Sequence, residues 1–230
     1  MPPDGLGTVL VTGGASGLGA AVAAAVRDAS GTPVVLDINP PANGLAYEPV
    51  DLARARDAER AVQRVADEHG GVDAVVTAAG VDACGDLRDV DADAWDRVIA
   101  VNLLGTVAVV RAALPYLERV RGRVVTVAST LGLRALPAAT AYCASKFGVV
   151  GFTRALAVET GDRIGVTMLV PGGMRTAFFD DRPEEFRPAA DQQLNRPEDV
   201  AASVVFALRQ PAGCELRELV VVPATEPSWP

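Results

Sequence analysis

Two residues with acid and base chemistry, Tyr142 and Lys146, lie four positions apart in this chain. Lys146 is the only lysine among 21 lysine and arginine residues, although arginine is used freely elsewhere. Positions i and i+4 share one face of a helix, so the phenol and the ammonium would lie side by side. A neighbouring cation favours a phenolate, so we expect Lys146 to lower the pKa of Tyr142 from its usual value of about 10. The pair predicts a general acid and base, although an ordinary surface helix can carry the same two residues.

A glycine-rich segment follows the first predicted strand. Residues 8–12 are apolar, residues 13–19 contain four glycines, and residues 20–26 are alanine and valine in a helical pattern. A strand, a glycine turn and a helix in this order indicate dinucleotide binding, because backbone N–H groups at a helix N-terminus can approach a pyrophosphate. The alternative is a tight turn without a ligand.

Asp37 ends the second predicted strand, 20 residues after Gly17. A carboxylate at about this spacing can accept hydrogen bonds from the adenosine ribose hydroxyls and repel a 2′-phosphate. No Arg or Lys follows in residues 38–41 to bind that phosphate. The sequence therefore predicts NAD rather than NADP, with a strand-end carboxylate as the alternative.

Strands and helices alternate along the whole chain, which predicts an α/β fold. We expect one Rossmann-like domain over residues 1–230, a doubly wound parallel sheet of about seven strands with helices on both faces. The predicted strands are residues 8–12, 33–37, 47–50, 72–77, 123–128, 164–170 and 216–222. The predicted helices are residues 20–26, 53–68, 95–120, 142–159 and one that starts at 196–199. Residues 174–195 lack periodicity and are predicted to form a substrate loop, and residues 224–230 form a C-terminal tail.

Composition excludes several classes of protein. The net charge of -8 argues against a nucleic-acid or anionic-membrane surface. We expect no apolar stretch of the roughly 18 residues that a membrane span needs, and residues 1–5 lack the basic and apolar character of a signal peptide. Three separated cysteines and a single histidine, His69, predict no disulfide framework and no metal site. We therefore expect a cytoplasmic protein.

Taken together, these motifs resemble those of the short-chain dehydrogenase/reductase family, from about residue 8 to residue 223. Thr12, Gly13, Gly17 and Gly19 match its TGxxxGxG turn, and Tyr142 and Lys146 match its YxxxK motif. The remaining matches are Ser129, which stands 13 residues before Tyr142, the helix residue Asn102, the pair Asp51 and Leu52, and the segment Pro171, Gly172 and Thr176. Two places depart from the family pattern. Thr77 replaces a usual Asn, and residues 220–223 replace an Asp-Gly-Gly segment, an ending similar to that of small carbonyl reductases and hydroxy-acid dehydrogenases.

The resemblance implies roles for these residues. Tyr142 would exchange a proton with the substrate, Ser129 would bind the substrate oxygen, and Lys146 would also bind the nicotinamide ribose. Asn102 would hold a water that links Lys146 to solvent, unless it is a buried Asn bonded to the backbone. The implied cofactor-binding residues are Gly13, Ser16, Gly17, Leu18, Gly19, Asp37, Asp51, Leu52, Ala79, Gly80, Tyr142, Lys146, Pro171, Gly172 and Thr176.

The predicted function is an NAD-dependent oxidoreductase that interconverts a secondary alcohol and a ketone. The alternatives are an NAD-binding sensor without turnover, an NADP-dependent carbonyl reductase, or an epimerase or dehydratase. We expect a mostly apolar substrate pocket, lined by Val81, Leu131, Leu133, Met174, Phe178 and Phe179, and read Cys143 as a packing residue. Apolar residues on more than one face of the helices at 95–120 and 141–159 call for a further packing partner, unless residues 174–195 cover them. These apolar residues are Val107, Val109, Val110, Leu114, Val149, Val150, Phe152 and Leu156. The family resemblance implies that these two helices form the contact of a homodimer, often within a homotetramer.

Overall fold

A computed structural model describes residues 5–42 and 44–229. Its centre is one sheet of seven parallel strands in the order β3-β2-β1-β4-β5-β6-β7. The strands are β1 (Gly7–Thr12), β2 (Gly31–Asp37), β3 (Ala46–Pro49), β4 (Ala74–Thr77), β5 (Arg123–Val127), β6 (Gly165–Pro171) and β7 (Glu218–Val221). The seven predicted strands and the α/β fold class are confirmed. Met1–Asp4, in the predicted N-terminal segment, and Pro230, in the predicted tail, lie outside the described residues.

Buried Val and Leu residues form the central strands because both faces of the sheet are covered. Along β1, Leu10 packs into the hydrophobic cluster on one face, whereas Val9 and Val11 pack into the cluster on the other. The alternation is the period-two geometry of a strand. The chain order reverses between β1 and β4, so the topological switch point of the sheet lies between these two strands.

The described residues form six α-helices: α1 (Gly17–Asp28), α2 (Ala55–His69), α3 (Ala92–Ile99), α4 (Thr106–Val120), α5 (Thr140–Thr160) and α6 (Pro197–Leu208). Helices α1 and α6 contribute to the cluster on one face, and α2, α4 and α5 to the cluster on the other. Local sequence sets several helix ends. Gly70 takes a left-handed conformation after α2, the side chain of Asp91 accepts a hydrogen bond from Ala94 N at the start of α3, and Pro197 occupies the first turn of α6.

The helix predicted over residues 95–120 is one continuous helical run with a π-helical segment, Ala100–Gly105, between α3 and α4. By length and composition, the 29-residue run Ala92–Val120 could span a membrane, so the expectation that no stretch is long enough was wrong. Half of its apolar window is buried inside the fold, which is how a core helix of a soluble protein also behaves. The finding is therefore weak evidence for a membrane span.

Most of the apolar residues on which the predicted oligomer rested are used within the chain. Val109, Val110, Val149, Val150 and Leu156 are buried in the two hydrophobic clusters on the α4 and α5 side of the sheet. They cannot also form a surface, so that part of the reasoning was wrong. A smaller set of apolar side chains is exposed on this side: Leu104, Phe147 and Val158.

The predicted substrate loop is closed at its base. Arg175 N donates to Asn195 O at 2.9 Å, and Asn195 N donates to Gly173 O at 3.0 Å. Between these bonds the loop contains two short 3₁₀ turns, Ala177–Phe179 and Glu184–Phe186. Both ends of the loop are therefore held where β6 ends, so the loop stands over the carboxyl edge of the sheet.

Candidate active site

A cavity of about 740 Å³ opens along the carboxyl edge of the sheet, where ligands of such sheets bind. Every predicted cofactor-binding residue lines it, as do Ser129, Tyr142 and Lys146. Asn102 is the one predicted catalytic residue that does not. The cavity is continuous from the glycine turn to the substrate loop.

The glycine turn between β1 and α1 needs its glycines for two physical reasons. Gly13 and Gly17 have φ values of 68° and 53°, which favour glycine over other residues. A Cβ at Gly13 would lie 2.7 Å from Ala79 Cα, and one at Gly19 would overlap the Gly13 carbonyl. Thr12 supports the turn, because its hydroxyl accepts a hydrogen bond from Ala79 N at 3.1 Å.

The start of α1 has the properties of a phosphate site. A helix leaves its first N–H groups without partners in the helix, and they carry partial positive charge. Ser16 occupies the N-cap position but its side chain makes no capping hydrogen bond. Its hydroxyl and the first N–H groups of α1 are therefore free to bind an anion, and a dinucleotide pyrophosphate fits this arrangement.

Two carboxylates lie beyond the glycine turn. Asp37 accepts hydrogen bonds from Ala15 N and Asn39 N, each at 3.0 Å, which fixes its carboxylate at the cavity wall. Asp51 accepts from Ala53 N at 3.0 Å and pairs with the Arg97 guanidinium at 3.2 and 3.3 Å. Burial opposes ionisation of Asp51, but these hydrogen bonds and the Arg97 charge hold its pKa below the usual value. The Asp51 carboxylate therefore already compensates the charge of Arg97.

Ser129, Tyr142 and Lys146 converge at the middle of the cavity. Ser129 follows β5 and accepts a hydrogen bond from Leu131 N at 3.1 Å, so its own proton can be donated to Tyr142 or to a substrate oxygen. Tyr142 and Lys146 are on α5, and Lys146 Nζ lies 5.6 Å from the centre of the Tyr142 ring. Nζ donates to the Val127 carbonyl at 2.8 Å. The predicted placement on one face of a helix is confirmed.

The predicted effect of Lys146 on Tyr142 is wrong for the protein alone. Burial raises the pKa of Tyr142 to about 12, and the Ser129 hydroxyl only partly opposes this. Burial also lowers the pKa of Lys146 to about 8. Because Lys146 directs its ammonium to the Val127 carbonyl, desolvation outweighs the attraction that the spacing predicts. Tyr142 is therefore a protonated acid at neutral pH.

Asn102 is held by protein partners. Its side-chain oxygen accepts from Val81 N at 2.8 Å, and its amide donates to Val81 O at 2.9 Å and to the Ser145 hydroxyl at 3.1 Å. This is the buried, backbone-bonded alternative, and it fixes the loop after β4 against α5. A Cβ on Gly80 would lie 3.7 Å from Asn102 Oδ1 and 3.8 Å from Lys146 Nζ, so Gly80 lies between the two side chains. The water-relay role stays a prediction.

The substrate end of the cavity is more polar than expected. Val81, Leu131, Met174, Phe178 and Phe179 line it as predicted, but Leu133 does not, because it packs against the cluster of Val149, Val150 and Met168. Charged and polar residues absent from the prediction complete this end, namely Asp181, Arg182, Arg187, Gln192, Glu226 and Ser228.

Arg182 is held by a buried ion pair with Asp82, whose side chain is 6% exposed. Its guanidinium also stacks on Phe178 and Phe179, at 5.1 and 4.6 Å from the ring centres. Asp82 accepts a further hydrogen bond from the Cys84 thiol, and burial followed by this bond raises the pKa of Cys84 to about 12. The two charges of the pair are 100 positions apart in sequence, so no local pattern reveals them.

The C-terminal tail forms part of the cavity wall. Glu226, Pro227 and Ser228 line the cavity, and Glu226 accepts a hydrogen bond from Gly173 N at 2.8 Å. A Cβ on Gly172 would overlap the Glu226 carboxylate, so glycine at this position allows the tail to approach. The tail is short and without periodicity, and the sequence contains no signal for this placement.

The chain is similar to known proteins over most of its length. Residues 7–186 match the family model described as short chain dehydrogenase. The chain is 32% identical to 2-(S)-hydroxypropyl-CoM dehydrogenase 3 of Xanthobacter autotrophicus, over 89% of this chain and 90% of the relative. It is 31% identical to an uncharacterized oxidoreductase of Staphylococcus aureus, over 93% of this chain and 96% of the relative.

Solved structures have the same fold. A short chain dehydrogenase from Burkholderia cenocepacia in complex with NADP superposes with a TM-score of 0.83 at 28% identity, covering 96% of this chain and 98% of that one. An alcohol dehydrogenase from Thermococcus sibiricus complexed with 5-hydroxy-NADP gives a TM-score of 0.82 at 23% identity, covering 93% and 95%. With its Rossmann-like sheet, glycine turn and Ser-Tyr-Lys site, the chain belongs to the short chain dehydrogenase family, an oxidoreductase family that uses nicotinamide cofactors.

Proposed function

We propose that the protein is an NAD-dependent oxidoreductase that interconverts a secondary alcohol and a ketone. The observation that carries the proposal is the meeting of Ser129, Tyr142 and Lys146 in the cavity that also contains the glycine turn. A sensor that only bound the cofactor would need no acid and base there.

The nicotinamide ring supplies or receives the hydride when the cofactor is bound. The chain supplies the rest of the chemistry. Ser129 donates its hydroxyl proton to the substrate oxygen, where charge develops in the transition state. Tyr142 gives its phenolic proton to the same oxygen as a ketone is reduced. A pKa of about 12 keeps Tyr142 protonated at neutral pH, so the proton that this step needs is present.

The proposed preference for NAD depends on Asp37. Its carboxylate is fixed at the cavity wall by two backbone N–H groups, where it would oppose a 2′-phosphate. Among the described residues, the cations that line the cavity besides Lys146 are Arg97, Arg182 and Arg187. Arg97 already pairs with Asp51 and Arg182 with Asp82, so neither offers an uncompensated charge.

A second candidate is an NADP-dependent carbonyl reductase. It is favoured by the two solved structures of similar fold, whose descriptions name NADP or a derivative of it. The two candidates differ only in the group at the 2′ position of the adenosine ribose. Titration of both cofactors into the same protein preparation separates them.

We also propose a cytoplasmic homo-oligomer. The side chains of Leu104, Phe147 and Val158 are 51%, 47% and 84% exposed and lie along the π-helical segment and α5. A Cβ placed on Gly151 would have no described atom within 4 Å, so α5 leaves room there for a second helix to approach. These features support a two-fold contact through this side of the protein, as a dimer or within a tetramer.

The function is tested by incubating the protein with a panel of ketones and NADH or NADPH and following the absorbance of the reduced nicotinamide. We expect oxidation of NADH that depends on a ketone, with a higher kcat/KM than for NADPH. A better rate with NADPH would favour the second candidate. Cofactor binding without turnover on any ketone or secondary alcohol would favour the sensor.

A further inference from the structure

Glu226 is a buried carboxylate at the substrate end of the cavity. Its residue is 8% exposed, and it lines the cavity together with Pro227 and Ser228. It follows β7 and reaches back to Gly173, at the end of β6. A charged group is rarely buried in a protein unless a partner compensates its charge.

The hydrogen bonds that Glu226 receives come from uncharged groups. Its Oε2 accepts from Gly173 N at 2.8 Å, and its Oε1 accepts from Ser228 N at 3.2 Å and from the Ser228 hydroxyl at 2.7 Å. Within residues 5–42 and 44–229, no Lys, Arg or His forms an ion pair with it. Oε2 thus keeps a lone pair without a protein donor, because each carboxylate oxygen has about two acceptor sites.

The direction of the neighbouring hydrogen bonds follows from this charge. A carboxylate can only accept, so the Ser228 proton goes to Glu226. The Ser228 hydroxyl also lies 2.7 Å from Thr130 Oγ1, and its own proton is used, so Thr130 donates to Ser228. The chain Thr130 to Ser228 to Glu226 connects the residue after Ser129 with the turn at Gly173 and fixes the carboxylate.

The other buried charge at this end behaves differently. The charge of Arg182 is paired with Asp82, and its guanidinium stacks on Phe178 and Phe179, although its Nε has no hydrogen-bond partner among the described residues. Glu226, in contrast, is a buried carboxylate at this end without an ion-pair partner among the described residues.

Building on the proposed function, we propose that Glu226 determines substrate specificity. It accepts a hydrogen bond from a hydroxyl or ammonium group of the substrate, close to the reacting carbon, and disfavours a substrate with a carboxylate at that place. The substrate class is therefore a hydroxyketone or aminoketone, or the corresponding diol or amino alcohol, and not a simple apolar ketone.

The test uses four ketones that differ in one substituent: acetone, hydroxyacetone, aminoacetone and acetoacetate. In a second series, one more methylene group separates the substituent from the carbonyl, so that the substituent can reach a Glu226 that lies farther from the reacting carbon. The reduction of each by NADH is measured for the wild type, Glu226→Gln and Ser228→Ala. In at least one series, we expect the hydroxyl and amino ketones to exceed the unsubstituted ketone in kcat/KM by about ten-fold or more, the effect of a charge-assisted hydrogen bond, and the keto acid to fall below it.

Glu226→Gln should reduce the preference for the amino ketone most, since the amide keeps an acceptor but loses the charge. The same variant should raise kcat/KM for the keto acid. Ser228→Ala keeps the Glu226 charge but removes one hydrogen bond that fixes it, so the order of the four ketones should stay the same with smaller differences in kcat/KM. A wild-type ranking independent of the substituent overturns the inference but leaves the proposed function, even if Glu226→Gln cannot be purified. No reduction of any ketone with either cofactor overturns both.

Discussion

Replacement of Lys146 by Met should remove a destabilising charge from the fold while it damages the site. Burial lowers the pKa of Lys146 from 10.5 to about 8. This difference means that the buried ammonium lowers stability by about 3 kcal/mol at neutral pH. Met fills a similar volume without the charge, but it leaves the Val127 carbonyl without its donor, which costs about 1–3 kcal/mol. We therefore expect Lys146→Met to be at least as stable as the wild type near neutral pH, and inactive.

The difference in stability between the wild type and Lys146→Met should change with pH in favour of the wild type as the pH rises. An unfolded lysine keeps its proton up to about pH 10.5, whereas the folded one loses it near pH 8, so wild-type stability rises with pH between these values. From about pH 7 to about pH 9.5, the wild type should gain about 2 kcal/mol relative to Lys146→Met. Burial also raises the pKa values of Tyr142 and Cys84, but both proteins share these groups.

Urea unfolding of both proteins at the two pH values measures this gain. Lys146 is the only lysine, so NMR with lysine-selective labelling reports its titration directly. If the free energy of unfolding of the two proteins changed with pH in the same way, or if Lys146 titrated near the ordinary lysine pKa, the reasoning from burial would be refuted.

Three further predictions concern cofactor choice, packing and assembly. Asp37→Ala should narrow the difference in affinity between NAD and NADP, measured by fluorescence titration, and tighter binding of NADP by the wild type would contradict the role of Asp37. The Thr77 hydroxyl is buried without a hydrogen-bond partner among the described residues, so Thr77→Val should be neutral or stabilising by up to about 2 kcal/mol in urea unfolding. A loss of more than about 1 kcal/mol would show that this hydroxyl has a partner. Phe147→Glu should reduce the assembled mass in light scattering, whereas a wild type at 23.8 kDa would exclude the oligomer.

The fold and the cofactor end of the site could be predicted from sequence because their determinants are local. Alternating apolar segments marked the seven strands, and the spacing of Gly13, Gly17 and Gly19 marked the turn. The π-helical segment was not predictable in the same way. Within it, Asn102 is hydrogen-bonded to the Val81 backbone, and Gly105 packs so closely against the Leu52 backbone that a Cβ would not fit. Val81 and Leu52 are distant from this segment in sequence.

The substrate end escaped prediction because long-range contacts form it. Asp82 meets Arg182, and Glu226 meets Gly173, 53 positions away. The direction of the Tyr142 pKa shift was also missed, since the spacing of two residues carries no information on how deeply the fold buries them. Charge attraction and desolvation act in opposite directions, and only the structure decides between them.

The most direct test of the central assignment is the Tyr142→Phe variant. The change removes only the phenolic hydroxyl and keeps the ring that packs 5.7 Å from Phe178. With a ketone that the wild type reduces, we expect turnover to fall by about 10²–10⁴, the typical contribution of proton transfer by a positioned side chain. NADH affinity, measured by fluorescence titration, should stay within a few-fold of the wild type. Turnover by Tyr142→Phe that equals the wild type would contradict the assignment of Tyr142 as the acid and base.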